Sequence, residues 1–506
     1  MEEDIIFGKN RHLYGGLEPS NMVTLKTIEK GNSVHIYAEL PKDTVVNGQT
    51  LVTVAGAVIR KSENEYPKDE FDGELVADIA EDGIYLDETN SSDRVWYYSA
   101  FPYSDQGVYN RSELNRCAYD PFNYIYGYDL DLNDPDPSTR VTYPNDVDNA
   151  GEFTPIDGST PGAFDYGDWA FAPGQKFMPK PCMLRYDGTV EHYLNPNDYS
   201  LQENSTLGSR VADTSFEGSA MMEWPKIYTK RWEENGIYHF RCSNTKRGSD
   251  WECFSNCRSD RSIADHFYTS IYPVTIGYSG SGVYHRSLST KGAPITGKNY
   301  DSWTNTLYVG SGWKIDRIHN RFLIQDLLVM MAKSTDTQSK YGQGYIGYTN
   351  ASNPIALGAC GQMDTIGMFG QSSYGVKVFG MEHFWGSVAR MQDDIRVTSS
   401  GIEVDYPDGG VWWKISTSSM KMGYIAMNNV QQFGRLPSLT TGSATTYECD
   451  YSSISTPSSS YVYVIVCGRS SDYNLTDSKD SGAFEIYGNL RTTATNAYVS
   501  TGLSYV

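Results

Sequence analysis

Apolar and polar residues alternate with period two over NMVTLKTIEKGNSVHIYAEL, residues 21–40, the pattern of strands with one buried face. TLVTVAGAVIRKS is a β-branched run broken by Gly56, and VWYYSAFPYSD is an aromatic run that ends in a turn. Strands recurring at about ten-residue intervals predict a small antiparallel sandwich, over residues 22–118. Before it, residues 1–21 are polar, carry Gly8, Gly15 and Gly16, and read as an arm that orders on a partner. After it, residues 119–168 hold Asp129, Asp131, Asp134, Asp136 and several prolines, and read as an acidic linker. From Trp169 to Val506 there is no regular βα alternation, only short strands, long loops and few helices. IHNRFLIQDLLVMMAKST narrows its polar positions to a stripe around Gln325 and Asp326, which predicts a largely buried helix. MEHFWGSVARMQDD predicts a shorter helix with Phe384, Trp385 and Val388 on one side. The fold class expected is mainly β, with an α+β C-terminal part.

Composition narrows the function. The chain holds 39 Tyr against 18 Phe, and 47 Gly, which suits strands, ordered loops and flat contact surfaces. A formal net charge of −21 argues against binding nucleic acid through its phosphates and against docking on an anionic membrane. No apolar run is long enough for a membrane span. The acidic start MEEDIIFGKNRHLYGG lacks the apolar core of a secretory signal, so assembly in the cytoplasm is expected.

The eight cysteines do not form a disulfide framework in a chain of this length. Cys253 and Cys257 in WECFSNC have only Cys242 and His266 nearby, so free thiols are expected rather than a metal site. DLDLNDPD resembles a calcium loop only superficially, because Asp134 and Arg140 stand where Gly and Glu are needed. His192, His266 and His383 sit beside aromatic or apolar residues and read as packed side chains. No nucleophile elbow, phosphate loop or His-Glu-x-x-His motif occurs. No cofactor is expected, and no enzyme.

Two resemblances carry further weight. AGAVIRKSENEYPKDEFDGELVADI followed by DRVWYYSAFPYSDQGVYN resembles a fibronectin-type-III-like module found in structural proteins of phages of gut bacteria. Six ordered blocks resemble a C-type-lectin-like domain of phage virion proteins. They are WAFAPGQKFMPKPCMLRYDGTVEHYLNPNDY, AMMEWPKIYTKRWEENGIYHF, DHFYTSIY with a later HRSLS, the buried helix, YGVKVFGMEHFWGSVAR, and GAFEIYGNLRTTATNAYVSTGLSYV. In that fold the FWGSVAR block corresponds to a Trp-Gly-Asn-Val-Trp-Glu core motif. Here Ser387, Ala389 and Arg390 depart from it, and Trp385 is expected to anchor the core. Sulfatase-activating members use a C-terminal cysteine pair, whereas Cys467 has only Cys449 near it in sequence.

The resemblances imply a virion surface protein, a head or tail fibre subunit made in the host cytoplasm. Residues 169–506 would form the lectin-like domain. Partners implied are other virion proteins through the arm, further copies of the chain as a homotrimer, and a host-surface glycan or protein. Two alternatives stay open: a purely structural capsid or tail subunit, and a polysaccharide-degrading tail spike. The resemblance places ligand-facing positions between Glu485 and Thr501. Alternation puts Glu485, Tyr487, Asn489 and Arg491 on one face, with Asn496 and Tyr498 extending the patch. Ligand binding, subunit contact and a solvated face are all compatible with these residues.

Overall fold

The computed structural model describes residues 17–19, 23–30, 33–87, 95–120, 125–148, 178–277, 284–290, 293–307, 312–342, 344, 376–386, 388–406, 411–415, 422–468 and 481–506. Most of the arm, the latter part of the expected linker, the start of the Trp169 block, Cys360 and Ser387 lie outside the described residues. The protein is mainly β. Among the described residues no helix is long and apolar enough to cross a membrane.

Two compact units divide the chain: described residues up to 120 belong to the first and those from 125 to the second. The first holds a three-stranded antiparallel sheet ordered Thr24–Lys30, Ser33–Glu39, Gly83–Asp87. Its four-stranded sheet runs Glu74–Ile79, Val54–Ser62, Trp96–Ser104, Arg116–Tyr119. Val34, Ile36 and Ala38 are buried at every second position, as the alternating sequence requires. The Lys61 ammonium donates to both Asp87 oxygens at 2.7 and 2.9 Å, lies 4.1 Å from the Trp96 ring centroid, and links the two sheets. Tyr98 also donates to Asp87, at 2.9 Å, so the buried carboxylate is fully engaged.

In the second unit, the expected linker is in part a strand. Ile125–Asp131 pairs with Ile237–Ser243 and with Val141–Thr142 in a four-stranded sheet closed by Tyr228–Glu234. Tyr126, Tyr128 and Leu130 are buried at alternate positions. The aspartates that disguised this period point the other way: Asp129 meets His239 at 2.8 Å and Arg241 at 2.9 Å. Asp134 and Asp136 form turns, accepting from Asp136 N and Ser138 N at 2.9 Å.

A seven-stranded sheet runs Asp198–Gln202, Val190–Asn195, Lys180–Arg185, Gly218–Pro225, His266–Ser270, Leu503–Tyr505, Trp313–Ile315. An eight-stranded sheet has the path Val411–Ile415, Gly401–Tyr406, Ala389–Thr398, Tyr463–Cys467, Ile486–Arg491, Tyr451–Ile454, Gly423–Tyr424, with Val499–Ser500 parallel to Ala389–Thr398. The expected helix over MEHFWGSVARMQDD is absent. Met381–Glu382 closes a short hairpin with Lys377–Val378, and Ala389–Thr398 is a strand. His383, Gly386 and Asp394 all have positive φ, which no right-handed helix tolerates. Trp385 is fully buried, and its indole Nε1 donates to Gly342 O at 3.0 Å.

The central helix, Ile318–Ala332, is buried at every residue and ends at Lys333 in the left-handed region. Phe322 stacks on Phe433, and Gly434 leaves no room for a Cβ beneath it. The polar stripe meets ionic partners. Asp326 accepts from Tyr128 OH at 2.7 Å, Tyr238 OH at 3.0 Å and Arg231 Nε at 2.8 Å. Arg435 approaches it at 3.6 Å and donates to Glu448 at 2.9 Å, while Arg140 stands 3.9 Å from Glu448. These five charged side chains are all buried.

Removing Asp326 leaves Arg231 uncompensated in the core. The expected cost of Asp326→Ala is about 3–5 kcal/mol, the range for breaking a buried pair. Chemical denaturation of the isolated chain measures it, and a loss below about 1 kcal/mol would refute the hub.

Candidate functional site

Strand Ile486–Arg491 lies inside the eight-stranded sheet, antiparallel to Tyr463–Cys467 and parallel to Tyr451–Ile454. Val464 faces Leu490 and Val466 faces Tyr487, so Gly488 and Asn489 together stand opposite Ile465. This is a bulge, and it breaks the alternation expected from sequence. Tyr487 and Leu490 both pack on one apolar cluster. Arg491 instead faces Tyr463, which packs on the other cluster. Glu485 is buried.

The five expected site residues therefore separate. Tyr487 is half-buried against the core. Asn489 donates from Nδ2 to Ser453 Oγ at 3.0 Å. Asn496 closes a turn: its Oδ1 accepts from Tyr498 N at 2.8 Å and its carbonyl from Val499 N at 3.2 Å. The Tyr498 side chain is half-buried, and its carbonyl accepts from Ala389 N at 3.0 Å. Arg491 is the exposed member, with its guanidinium 3.8 Å from the ring centroid of exposed Tyr461. Tyr461 was not expected; its signal, a tyrosine in a Ser-rich turn before an apolar strand, is slight.

A second bulge assembles a group that sequence reading missed. In Ala389–Thr398 the pairing jumps from Met391 with Val466 to Arg396 with Val464, which loops out residues 392–395. Asp394 takes φ 62°, a conformation that Asp tolerates better than most residues. Its carboxylate accepts from Arg317 Nε at 2.7 Å and from Lys314 Nζ at 2.5 Å. Asp393 accepts from Tyr300 OH at 2.6 Å. Burial alone would raise the Asp394 carboxyl, but Arg317 and Lys314 hold it well below the usual range. Burial, and then the Asp394 charge, push Asp393 upward. Asp405 is raised by burial and by the same neighbour.

The strand edge extends this group. Asp405 lies opposite Trp412, whose ring carries the Arg396 guanidinium 3.8 Å from its centroid. Arg396 and Lys414 meet Glu403 at 2.8 and 3.3 Å. Asp393, Asp405, Tyr300, Lys314 and Trp412 are all half-exposed. Tyr300 N donates to Thr492 O at 3.1 Å, which joins the group to the loop after Arg491. The surface thus combines carboxylate acceptors, an ammonium and a hydroxyl donor, and aromatic rings. That set suits a polar ligand with both donors and acceptors. The sequence signal is an Asp pair inside the otherwise apolar run ARMQDDIRV.

The other candidates are internal. Cys467 is buried in its strand, and burial pushes the thiol up to about 12. Cys253 Sγ contacts Ile227 O at 3.2 Å. His383 is fully buried, and burial lowers it to about 3. His192 is half-buried and lowered by burial. His266, expected to pack, is exposed and lies 3.8 Å from Glu223, because it opens its strand at the sheet end. No group of three or more His, Cys, Asp or Glu arranged to hold a metal occurs among the described residues.

The Gly-Ala-Phe segment is held by the core. Ala483 O accepts from Gln325 Nε2 at 2.7 Å and Arg321 NH2 at 3.1 Å, and Phe484 N donates to Asp450 at 2.7 Å. No protein-family model matches the sequence, and no curated protein matches it.

Burial raises the Asp450 carboxyl from 3.8 to about 7. The folded state then holds a proton that the unfolded chain has released, so this contribution is present at acid pH and is lost as pH rises through about 7. Asp450→Asn removes the titration. Thermal melts are expected to show the variant gaining on the wild type between pH 4.5 and 8, and parallel curves would refute the assignment.

Proposed function

We propose that this chain is a surface subunit of a tailed-phage virion, a fibre or decoration protein, that binds rather than catalyses. The resembling sequence blocks support the virion assignment. They also support a lectin-like arrangement of the second unit and an arm at residues 1–21 that anchors the chain to other virion proteins. A homotrimer remains part of the proposal. The observation that carries the binding role is the pairing of exposed Arg491 with exposed Tyr461 on a buried sheet, next to the Asp393–Trp412 group. A rigid scaffold holding planar donors at its surface loses little entropy on binding. The ligand class proposed is a host-surface glycan or peptide. Each site binds weakly, and the particle gains by avidity across its copies.

One observation favours a second reading, a polysaccharide-degrading spike. Asp393 and Asp394 are pushed in opposite directions, as an acid and its charged companion would be. Both carboxylates are engaged by Tyr300, Lys314 and Arg317, which favours the binding reading.

The double variant Arg491→Ala, Tyr461→Ala should reduce particle adsorption to host cells at least tenfold while oligomers persist by light scattering. Dissociated oligomers would transfer this surface to subunit contact, and unchanged adsorption would remove it from both roles. Release of reducing ends from host polysaccharide by the wild type, lost in Asp393→Asn, would establish the second reading.

A further inference from the structure

Four carboxylates gather around the bulge in Ala389–Thr398, and only two of them have matching cations. Asp394 pairs with Arg317 and Lys314, and Glu403 pairs with Arg396 and Lys414. Asp393 and Asp405 form no ion pair among the described residues. Asp393 commits Oδ1 to two donors, the Tyr300 hydroxyl at 2.6 Å and the Asp394 amide at 2.9 Å. Its Oδ2 accepts from none of the described residues. Asp405 Oδ1 is buried with no hydrogen-bond partner, a state that costs free energy until a donor arrives. Burial, and then the charge of Asp394, oppose ionisation of both groups. Lys314 acts on both only from a distance, because Asp394 holds its ammonium. A half-exposed ring stands beside each carboxylate: Tyr300 at Asp393, and Trp412 across the strand pair from Asp405.

Resting on the ligand-binding reading of this surface, we propose that Asp393 and Asp405 together receive the primary ammonium of an amino sugar. The two carboxylates are near enough for their charges to act on one another. An ammonium brings three donors for Asp393 Oδ2 and the Asp405 oxygens, and its charge supplies the cation that neither has. A neutral hydroxyl donates one hydrogen and leaves the repulsion from Asp394 in place. An acidic sugar adds to that repulsion. The rings of Tyr300 and Trp412 offer flat faces to the C–H side of a sugar ring, whereas a lysine side chain reaches the carboxylates as a single chain and leaves the rings bare.

The test is calorimetric titration of the full chain, at about 50 mM salt where charge is weakly screened, with a glucosamine tetrasaccharide and with its fully N-acetylated counterpart. The free amine is expected to bind at least about tenfold tighter, in keeping with the gap between charge-assisted and neutral hydrogen bonds. Asp405→Asn keeps the shape, removes the charge and should bring the two ligands within about twofold of each other. Asp393→Asn should do the same, so a folding defect in one variant does not decide the outcome. Glu233→Gln removes an equal charge from an exposed position of Tyr228–Glu234 and should leave the preference intact. An equal loss in Glu233→Gln overturns the inference in favour of general attraction to an acidic protein. Equal binding of the two tetrasaccharides overturns the ammonium and leaves glycan binding standing. Tetralysine that binds as tightly as the glucosamine tetrasaccharide overturns the sugar. Binding of neither tetrasaccharide overturns the inference outright, and adsorption of the Arg491→Ala, Tyr461→Ala particle then decides the broader reading separately.

Discussion

The fold of the second unit turns on one buried carboxylate. Asp326 binds two tyrosines and an arginine from the four-stranded sheet, and a further arginine from the hairpin strand Gly434–Leu439. Through Arg435 the network reaches Glu448, Asn428 and Arg140. Burying five charges is expensive unless every one is engaged. Aromatic faces help: Arg435 lies 4.9 Å from Tyr238 and Arg231 lies 5.2 Å from Phe240. A purely apolar helix could rotate or slide in its socket with little penalty. With Asp326 in place, only one rotation brings the carboxylate to its donors. The network specifies the arrangement more than it stabilises it.

That rigidity is what permits irregularity at the surface. Bulges in Ala389–Thr398 and in Ile486–Arg491 are tolerated because both strands lie in the interior of a sheet, paired on either side. Each bulge turns a polar residue outward from a strand that otherwise faces the core. The looped-out Asp393–Asp394 pair and the reoriented Arg491 share this origin. Among the described residues, the candidate surface is thus built on departures from regular pairing.

The legible parts of the sequence were those whose period survives. The alternation over Ser33–Glu39 and the apolar density of Ile318–Ala332 both appear as expected. The strand Ile125–Asp131 was hidden because its outer positions are aspartates beside a Pro-rich turn, and composition outweighed period. The helix expected over Met381–Asp394 failed because left-handed residues leave no mark in an apolar pattern. Of the candidate site residues, Arg491 is exposed as the alternation required, yet the face-sharing argument failed at Gly488 and Asn489, where one extra residue inverts the strand. Asp393 and Tyr300 are 93 residues apart in the chain, and no local pattern joins them.

The strand Leu503–Tyr505 sits between His266–Ser270 and Trp313–Ile315, in the interior of the seven-stranded sheet. During synthesis those two neighbours emerge long before the strand that joins them. At about 5–20 residues per second the interval between Ser270 and Tyr505 lasts roughly 10–50 s. Throughout it, two strand edges wait unpaired, while the described strands of the first unit have already been made. The seven-stranded sheet is completed only once Leu503–Tyr505 has been made, and its pairing joins strands far apart in the chain, the non-local contact that slows folding.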